Sequence, residues 1–221
     1  MPTLRFYATF VYELLNKTRS VDFIAPLLLR LYLAPVFISA GFNKLNSFDN
    51  VVEWFGNDDW GLGLPAPLIM AFLATATEII GGFALLFGIA TRWLAAPLMF
   101  TMIIAMTTAH WSNGWYAIAP GNAETSMSAV LAPVNFPGAA ASLENSAEVG
   151  SRLSKAKELL QENGNYEWLT ETGNFVVLNN GIEFAATYFI ILLALFFIGA
   201  GRYTSLDYWL HKRLINTKKE P

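Results

Sequence analysis

Apolar residues crowd four stretches of the chain, roughly Phe23–Phe42, Pro67–Phe87, Arg92–Trp111 and Gly181–Ala200. Each is close to the about 20 residues that a helix needs to cross a bilayer. Backbone groups in lipid must find partners within their own segment, which favours helices, and these runs are too long and continuous for barrel strands. The pattern predicts an all-α integral membrane four-helix bundle. Pro26 and Pro35 fall inside the first span and predict a kink. Trp93 and Trp111 bracket the third at about 27 Å of helical rise, the spacing of two membrane interfaces. Ahead of the spans, residues 3–20 place Leu4, Phe6, Tyr7, Phe10, Val11, Leu14 and Leu15 near Arg5, Lys17 and Arg19, the composition of an N-terminal interfacial helix.

Two connections have length. The first, 44–66, carries Trp54, Trp60, Asp58, Asp59 and a turn-prone Gly61–Pro65 run. The second, 112–179, is an insertion between the third and fourth spans. Its portion Pro120–Ser142 is rich in Ala, Ser, Gly and Pro without periodicity and reads as flexible. Ser146–Asn163 reads as one helix, with Asn145 as cap, Glu148 in support, Gly164 as stop and Leu153, Ala156 and Leu160 as its apolar stripe.

Composition agrees with a membrane protein. The 221 residues are 54% hydrophobic and 14% charged, against about 25% charged in a soluble domain. A net charge of -3 gives no basic field, so no nucleic-acid partner is expected. The absence of cysteine removes disulfides and thiolate metal sites, leaving Met, His and carboxylate as metal ligands. Residues 1–20 lack the features of a cleavable signal peptide, so the first span is expected to direct insertion. With four spans, one side of the membrane collects Arg5, Lys17, Arg19, Arg92, Arg202, Lys212, Arg213, Lys218 and Lys219. The other side has Lys44, Arg152, Lys155 and Lys157. The positive-inside rule then puts both termini in the cytoplasm.

Apart from Arg92 at the edge of the third, each apolar segment carries one ionisable residue that lipid alone would not tolerate: Arg30, Glu78, His110 and Glu183. A charge in hydrocarbon costs at least a few kcal/mol unless it is paired or wetted. Glu78 shares a helix face with Ala71, Ala74, Thr75, Gly81 and Gly82, small residues of the kind that mark close helix approach. Arg30 and Glu78 lie at depths that agree within about one turn, so they are expected to pair, as a register-fixing ion pair or as a proton or quinone-headgroup site. His110, Glu183 and Lys44 lie near the outer ends and are expected to form an outer polar cluster, with Asn43 and Glu53 as neighbours; hydrated interfacial residues are the alternative. Met99, Met102, Met106 and His110 fall within an arc of about 80° on the third span, a thioether–imidazole set that suits Cu(I), with Met70 as a further donor. Ordinary packing methionines are the alternative.

The first span reads LLLRLYLAPVFISAGFNKL, with Arg30, Gly41 and Lys44. The second reads TEIIGGFALLFGIATR, with Glu78, Gly81, Gly82, Gly88 and Arg92. The last exits through GAGRYTSLDYWL, with Gly201, Arg202, Ser205 and Asp207. Together these resemble the DoxX family of bacterial four-helix membrane proteins over roughly 22–111 and 180–210. The family's Gly-Arg-x-Ser-Leu-Asp exit carries one extra residue here, Thr204. The insertion, with VEWFGNDDWGLGLP, NYEWL and FVVLNNGIEFAATY, resembles the HvfX-type branch associated with maturation of copper-binding ribosomally made peptides. The resemblance implies a bacterial inner-membrane location, copper as a cofactor or cargo, and a peptide or maturation enzyme as partner. For other members it implies roles beside thiosulfate:quinone oxidation.

Three functions stay open. The chain is a membrane partner in maturation or export of a copper-binding peptide. Alternatively it is the membrane subunit of a quinone-linked oxidoreductase, whose electrons a partner would carry because no haem or flavin motif is present. The third reading is a non-enzymatic assembly subunit, in which buried charges fix helix packing.

Overall fold

The computed structural model describes residues 2–136 and 138–214, without the side chains of residues 2–6 and 8. The side chains of Leu4, Arg5 and Phe6, and the whole of Lys218 and Lys219, lie outside the described residues. Among the described residues the chain is helical and has no strand; the one β-type pairing is an isolated antiparallel bridge between Ile118 and Leu178. It divides into two compact units, Met1–Met102 with Tyr188–Pro221, and Ile103–Thr187.

In the first unit, α1 (Pro2–Lys17) leads through a short 3-10 turn into α2 (Ile24–Asn46). Tyr7, Phe10, Val11, Leu14 and Leu15 of α1 are all exposed. α2 runs past Phe42, the expected end of the span, and so carries Lys44 on the helix itself. The 44–66 connection is not all loop: α3 (Phe48–Gly56) forms on the amphipathic run Val51, Trp54, Phe55 and buries Phe55. α4 (Pro67–Phe87) starts with Pro at its first position and ends at Gly88 in the left-handed conformation, with Ile89 N–H donating to Ala84 O. α5 (Thr91–Ile104) follows at once.

α2 and α4 are antiparallel neighbours that touch through glycines. A Cβ at Gly82 would stand 2.9 Å from Ile38 N and 3.3 Å from Ala34 O; one at Gly41 would stand 3.0 Å from Ile79 N. Gly81 likewise leaves room for Leu98 of α5, which is fully buried. Among the described residues, three helices are long and apolar enough to cross a membrane: Ile24–Asn46, Pro67–Phe87 and Thr91–Asn113. α9 (Glu183–Ile198) is largely apolar after Glu183 but has 16 residues, shorter than the expected 181–200 span. Asn180 with φ 56° and Gly199 with φ 79° stand just outside its ends, where the helical conformation stops. α10 (Leu206–Leu214) closes the described chain.

In the second unit, the helix begun by α5 changes to a π-turn over Ala105–His110. Thr107 Oγ1 donates to Ile103 O and Thr108 Oγ1 to Ile104 O, back-bonds that compete with the regular ladder. Residues 114–119 then run against 177–183 through backbone bonds such as Ala119 N to Val177 O and Asn179 N to Ala117 O. Between them lie α6 (Met127–Leu131), α7 (Ala139–Asn163) and α8 (Tyr166–Thr170). α7 begins well before Asn145, the expected cap, because Ala139–Ala141 are strong helix formers and Gly138 turns the chain into them. Within Pro120–Ser142, expected to be flexible, α6 and the start of α7 are ordered helix. The buried positions of α7 are Ala139, Ser146 and Val149; Leu153 and Leu160 are half-buried and Ala156 is exposed, so the stripe starts earlier than expected.

Widening the α2–α4 contact tests this packing. Gly82→Val should destabilise the protein by about 1–3 kcal/mol, the range for overpacking a tight contact. Gly173→Ala, where a Cβ meets nothing within 4 Å, should leave the unfolding midpoint in detergent unchanged. Equal midpoints for the two variants would refute the close approach.

Candidate functional site

Glu78 sits on the buried face of α4 with Ala71, Thr75, Gly81 and Gly82, itself 5% exposed. Its partner is Lys44. Lys44 Nζ lies 2.8 Å from Oε1 and 2.6 Å from Oε2, with the lysine side chain 25% exposed. The expected Arg30–Glu78 pair does not form. Side chains on a helix lean toward its N-terminus. Arg30 therefore leans toward the start of α2, while Lys44 leans back from the far end. Glu78, on antiparallel α4, leans toward Lys44. Matching depths from the two helix ends carries no information about these directions, which is why the expectation failed.

Arg30 is 1% exposed and serves the opposite end, where α2 and α5 begin and α4 and α9 finish. We call this the basic end, after Arg19, Arg92 and Arg202. Arg30 Nη1 donates to Ala200 O at 2.9 Å and Nη2 to Thr204 O at 3.1 Å. The extra Thr204 thus contributes an acceptor. A Cβ at Gly88 would collide with the Arg30 guanidinium. Asp207 Oδ1 and Oδ2 accept from Ala90 N at 2.7 Å and Thr91 N at 3.0 Å, capping α5 from a distant helix. Ser205 Oγ donates to Gly201 O. Gly201, with φ 88°, passes Pro26 where a Cβ would stand 2.7 Å from its Cγ. Arg202 Nη2 pairs with Asp22 Oδ1 at 2.7 Å; these hydrogen bonds, then the Asp22 charge, push the guanidinium above its ordinary pKa. Asp22 was not singled out in the sequence, because an exposed partner leaves no apolar-segment signal.

In the second unit, His110 is half-buried and its Nδ1 lies 2.8 Å from Asn180 O, which also accepts from Asn113 Nδ2. A ring nitrogen facing a carbonyl oxygen is the donor, so in the tautomer with its one proton on Nδ1 the Nε2 lone pair is the one a metal would meet. Glu183 Oε2 accepts from Ala117 N at 2.9 Å. His110 and Glu183 thus bond to the two sides of the same backbone pairing, and no bond joins them to each other. Lys44 is committed to Glu78 in the first unit, so the expected three-residue outer cluster is not one hydrogen-bonded group. Asn43 and Glu53 are exposed. Tyr116, with Ser126 and Ser128, forms a cluster the sequence did not reveal. Burial pushes its phenol up, but hydrogen bonds to Ser126, Ser128 and the Ser128 N–H outweigh it and hold the pKa below its ordinary value.

Met102 is buried, Met99 and Met106 are half-buried, and Met70 is exposed. Among the described residues, no three His, Asp or Glu side chains converge to hold a metal.

Apolar helices of spanning length, one bearing a buried and paired carboxylate, define an integral membrane protein. The chain belongs to the DoxX family, whose model matches residues 25–111. It is 34% identical over 85 residues to "Putative oxidoreductase CatD" of Bacillus subtilis (strain 168), covering 38% of this chain and 59% of that protein. It is 30% identical over 113 residues to "Inner membrane protein YphA" of Escherichia coli (strain K12), covering 48% of this chain and 78% of that protein. No solved structure matches the chain.

The Lys44–Glu78 pairing yields a direct test. Lys44→Met leaves a carboxylate buried without its cation and should destabilise the protein by about 3 kcal/mol, the low end for a buried pair because Lys44 keeps some solvent contact. Lys44→Met with Glu78→Leu should recover most of that loss in thermal unfolding. Additive losses in the double variant would show that the two groups do not interact.

Proposed function

We propose that this chain is a bacterial inner-membrane protein with four spans and both termini in the cytoplasm, acting as a membrane partner in maturation or export of a copper-binding ribosomally made peptide. α9 supplies the fourth span, and α1 lies along the headgroups with its apolar side chains in lipid. The observation that carries the reading is the second unit. An insertion organised around α7, with Ser146 and Val149 buried, offers a folded surface to a peptide or enzyme where a tether would offer none. The resemblance of the insertion to HvfX-type proteins supplies the identity of the cargo. The test is a deletion strain grown with excess copper, with mature peptide quantified outside the cell. Secretion should fall sharply, and normal amounts would sink the role.

Copper contact is a separable part of this proposal. Met99, Met102, Met106 and the free Nε2 of His110 are the donors available to Cu(I). Purified protein should bind Cu(I) more tightly than the His110→Ala, Met106→Leu variant; equal binding removes the metal path and leaves the peptide role standing.

A second reading, a membrane subunit of a quinone-linked oxidoreductase, is favoured by Lys44 and Glu78. A carboxylate and an ammonium sharing hydrogen bonds inside a span can pass a proton to a quinone headgroup. The name of the B. subtilis relative supports oxidoreductase chemistry. Quinone reduction by the purified complex should collapse in Glu78→Gln at matched protein abundance. Unchanged turnover excludes the reading, and a drop in abundance alone points to the assembly subunit.

A further inference from the structure

A cavity of about 740 Å³ lies at the basic end of the first unit, beside the starts of α2 and α5 and the end of α9. Phe23, Pro26, Trp93 and Ile198 give it apolar walls. Its two carboxylates are already committed. Asp22 is held by Arg202, and Asp207 by the N–H groups of Ala90 and Thr91. Arg92 is different. Its Nε donates to Phe196 O at 2.8 Å and its guanidinium carbon sits 5.8 Å from the Phe196 ring centre, which fixes the stem. Among the described residues no acceptor takes its two Nη groups, so a planar donor fork is left at the cavity.

We propose that this cavity binds the phosphate of an anionic phospholipid, with Arg92 holding the phosphate and the apolar wall flanking the glycerol and upper acyl chains. Arginine's fork matches two phosphate oxygens, which a point charge does not. Arg202 balances Asp22, and buried Arg30 lies within electrostatic reach of Asp207, so the charge of Arg92 is left over for an anion. The cavity stands where spanning helices end, the depth of lipid headgroups, and basic pockets between spans recognise anionic headgroups. Trp93, 83% exposed, and Trp209 and Tyr203, about half exposed, surround this level as an interfacial aromatic belt does. A soluble phosphate would have no use for the apolar wall.

The test uses the full chain, delipidated in mild detergent. Phosphatidylglycerol should be retained in native mass spectra and raise the unfolding temperature, and phosphatidylcholine should do neither. Arg92→Gln should weaken phosphatidylglycerol binding about fivefold, the effect of one basic residue near an anionic surface, and Arg92→Lys should restore part of it. Equal effects of the two lipids, or wild-type affinity in a folded Arg92→Gln protein, would overturn the proposal. So would stabilisation by inorganic phosphate or glycerol phosphate as large as that by the lipid, which would assign the site to a free anion. A measurement independent of the arginine variants is fluorescence quenching. Phosphatidylglycerol brominated near the headgroup should quench wild-type tryptophan more than Trp93→Phe, and the same quenching in both would place the lipid elsewhere.

Discussion

A helix that ends in or near lipid leaves its last carbonyls without water, and the way this chain supplies them governs the whole basic end. Arg30, almost fully buried in α2, donates to Ala200 O and Thr204 O just beyond α9. That one side chain dictates several others. Gly88 is needed because any side chain there would occupy the space of the guanidinium. Gly199 and Gly201, both at positive φ, turn the chain so that the two acceptors face α2. Asp207 then reaches Ala90 and Thr91 and caps α5. A cation stands at the C-terminal end of one helix and an anion at the N-terminal end of another, each in the orientation that helix dipoles favour. Arg30, Gly88, Gly201 and Asp207, read from the sequence as family motif positions, are to this extent one structural joint.

The opposite end is organised by register. Gly41 meets Ile79, and Gly82 meets Ile38 and Ala34, so the antiparallel α2 and α4 are pinned at two points. This register puts Glu78 level with Gly41, and Lys44 lies about one turn beyond. Lys44 leans back toward Glu78 because both side chains follow the N-terminal tilt of their helices. Arg30 is carried out of reach by the same rule.

Three of the four expected spans were legible because length and continuous apolarity suffice to identify a helix in lipid, and α4 matches its expected bounds residue for residue. That Glu78 faces inward was legible from the small residues beside it. Its partner was not, since depth along a segment says nothing of side-chain direction. The π-turn was hidden for a different reason: a threonine pair inside an apolar run looks like any weakly polar helix face, and its back-bonds emerge only with the backbone in place. In the insertion, composition misled. Alanine and serine between Pro120 and Ser142 were weighed as low complexity, whereas three consecutive alanines after Gly138 form the first turn of α7.

These points bear on which charges in the first unit call for a chemical explanation. Replacing a buried ion pair with well-packed apolar residues is often neutral or stabilising, so packing alone gives weak reason to keep one. Arg30 has a packing reason, because the carbonyls it serves would otherwise be orphaned. Lys44 and Glu78 have none of that kind. Their helices are already held in register by Gly41 and Gly82, and neither side chain satisfies a stranded backbone group. The pair is also not sealed: Lys44 keeps a quarter of its side-chain surface exposed, so a proton or a polar headgroup has a way to it. A carboxylate buried on one side and reached through its lysine on the other is the feature on which the quinone-linked reading rests. The chemistry of the first unit is therefore to be sought at Glu78, and its architecture at Arg30.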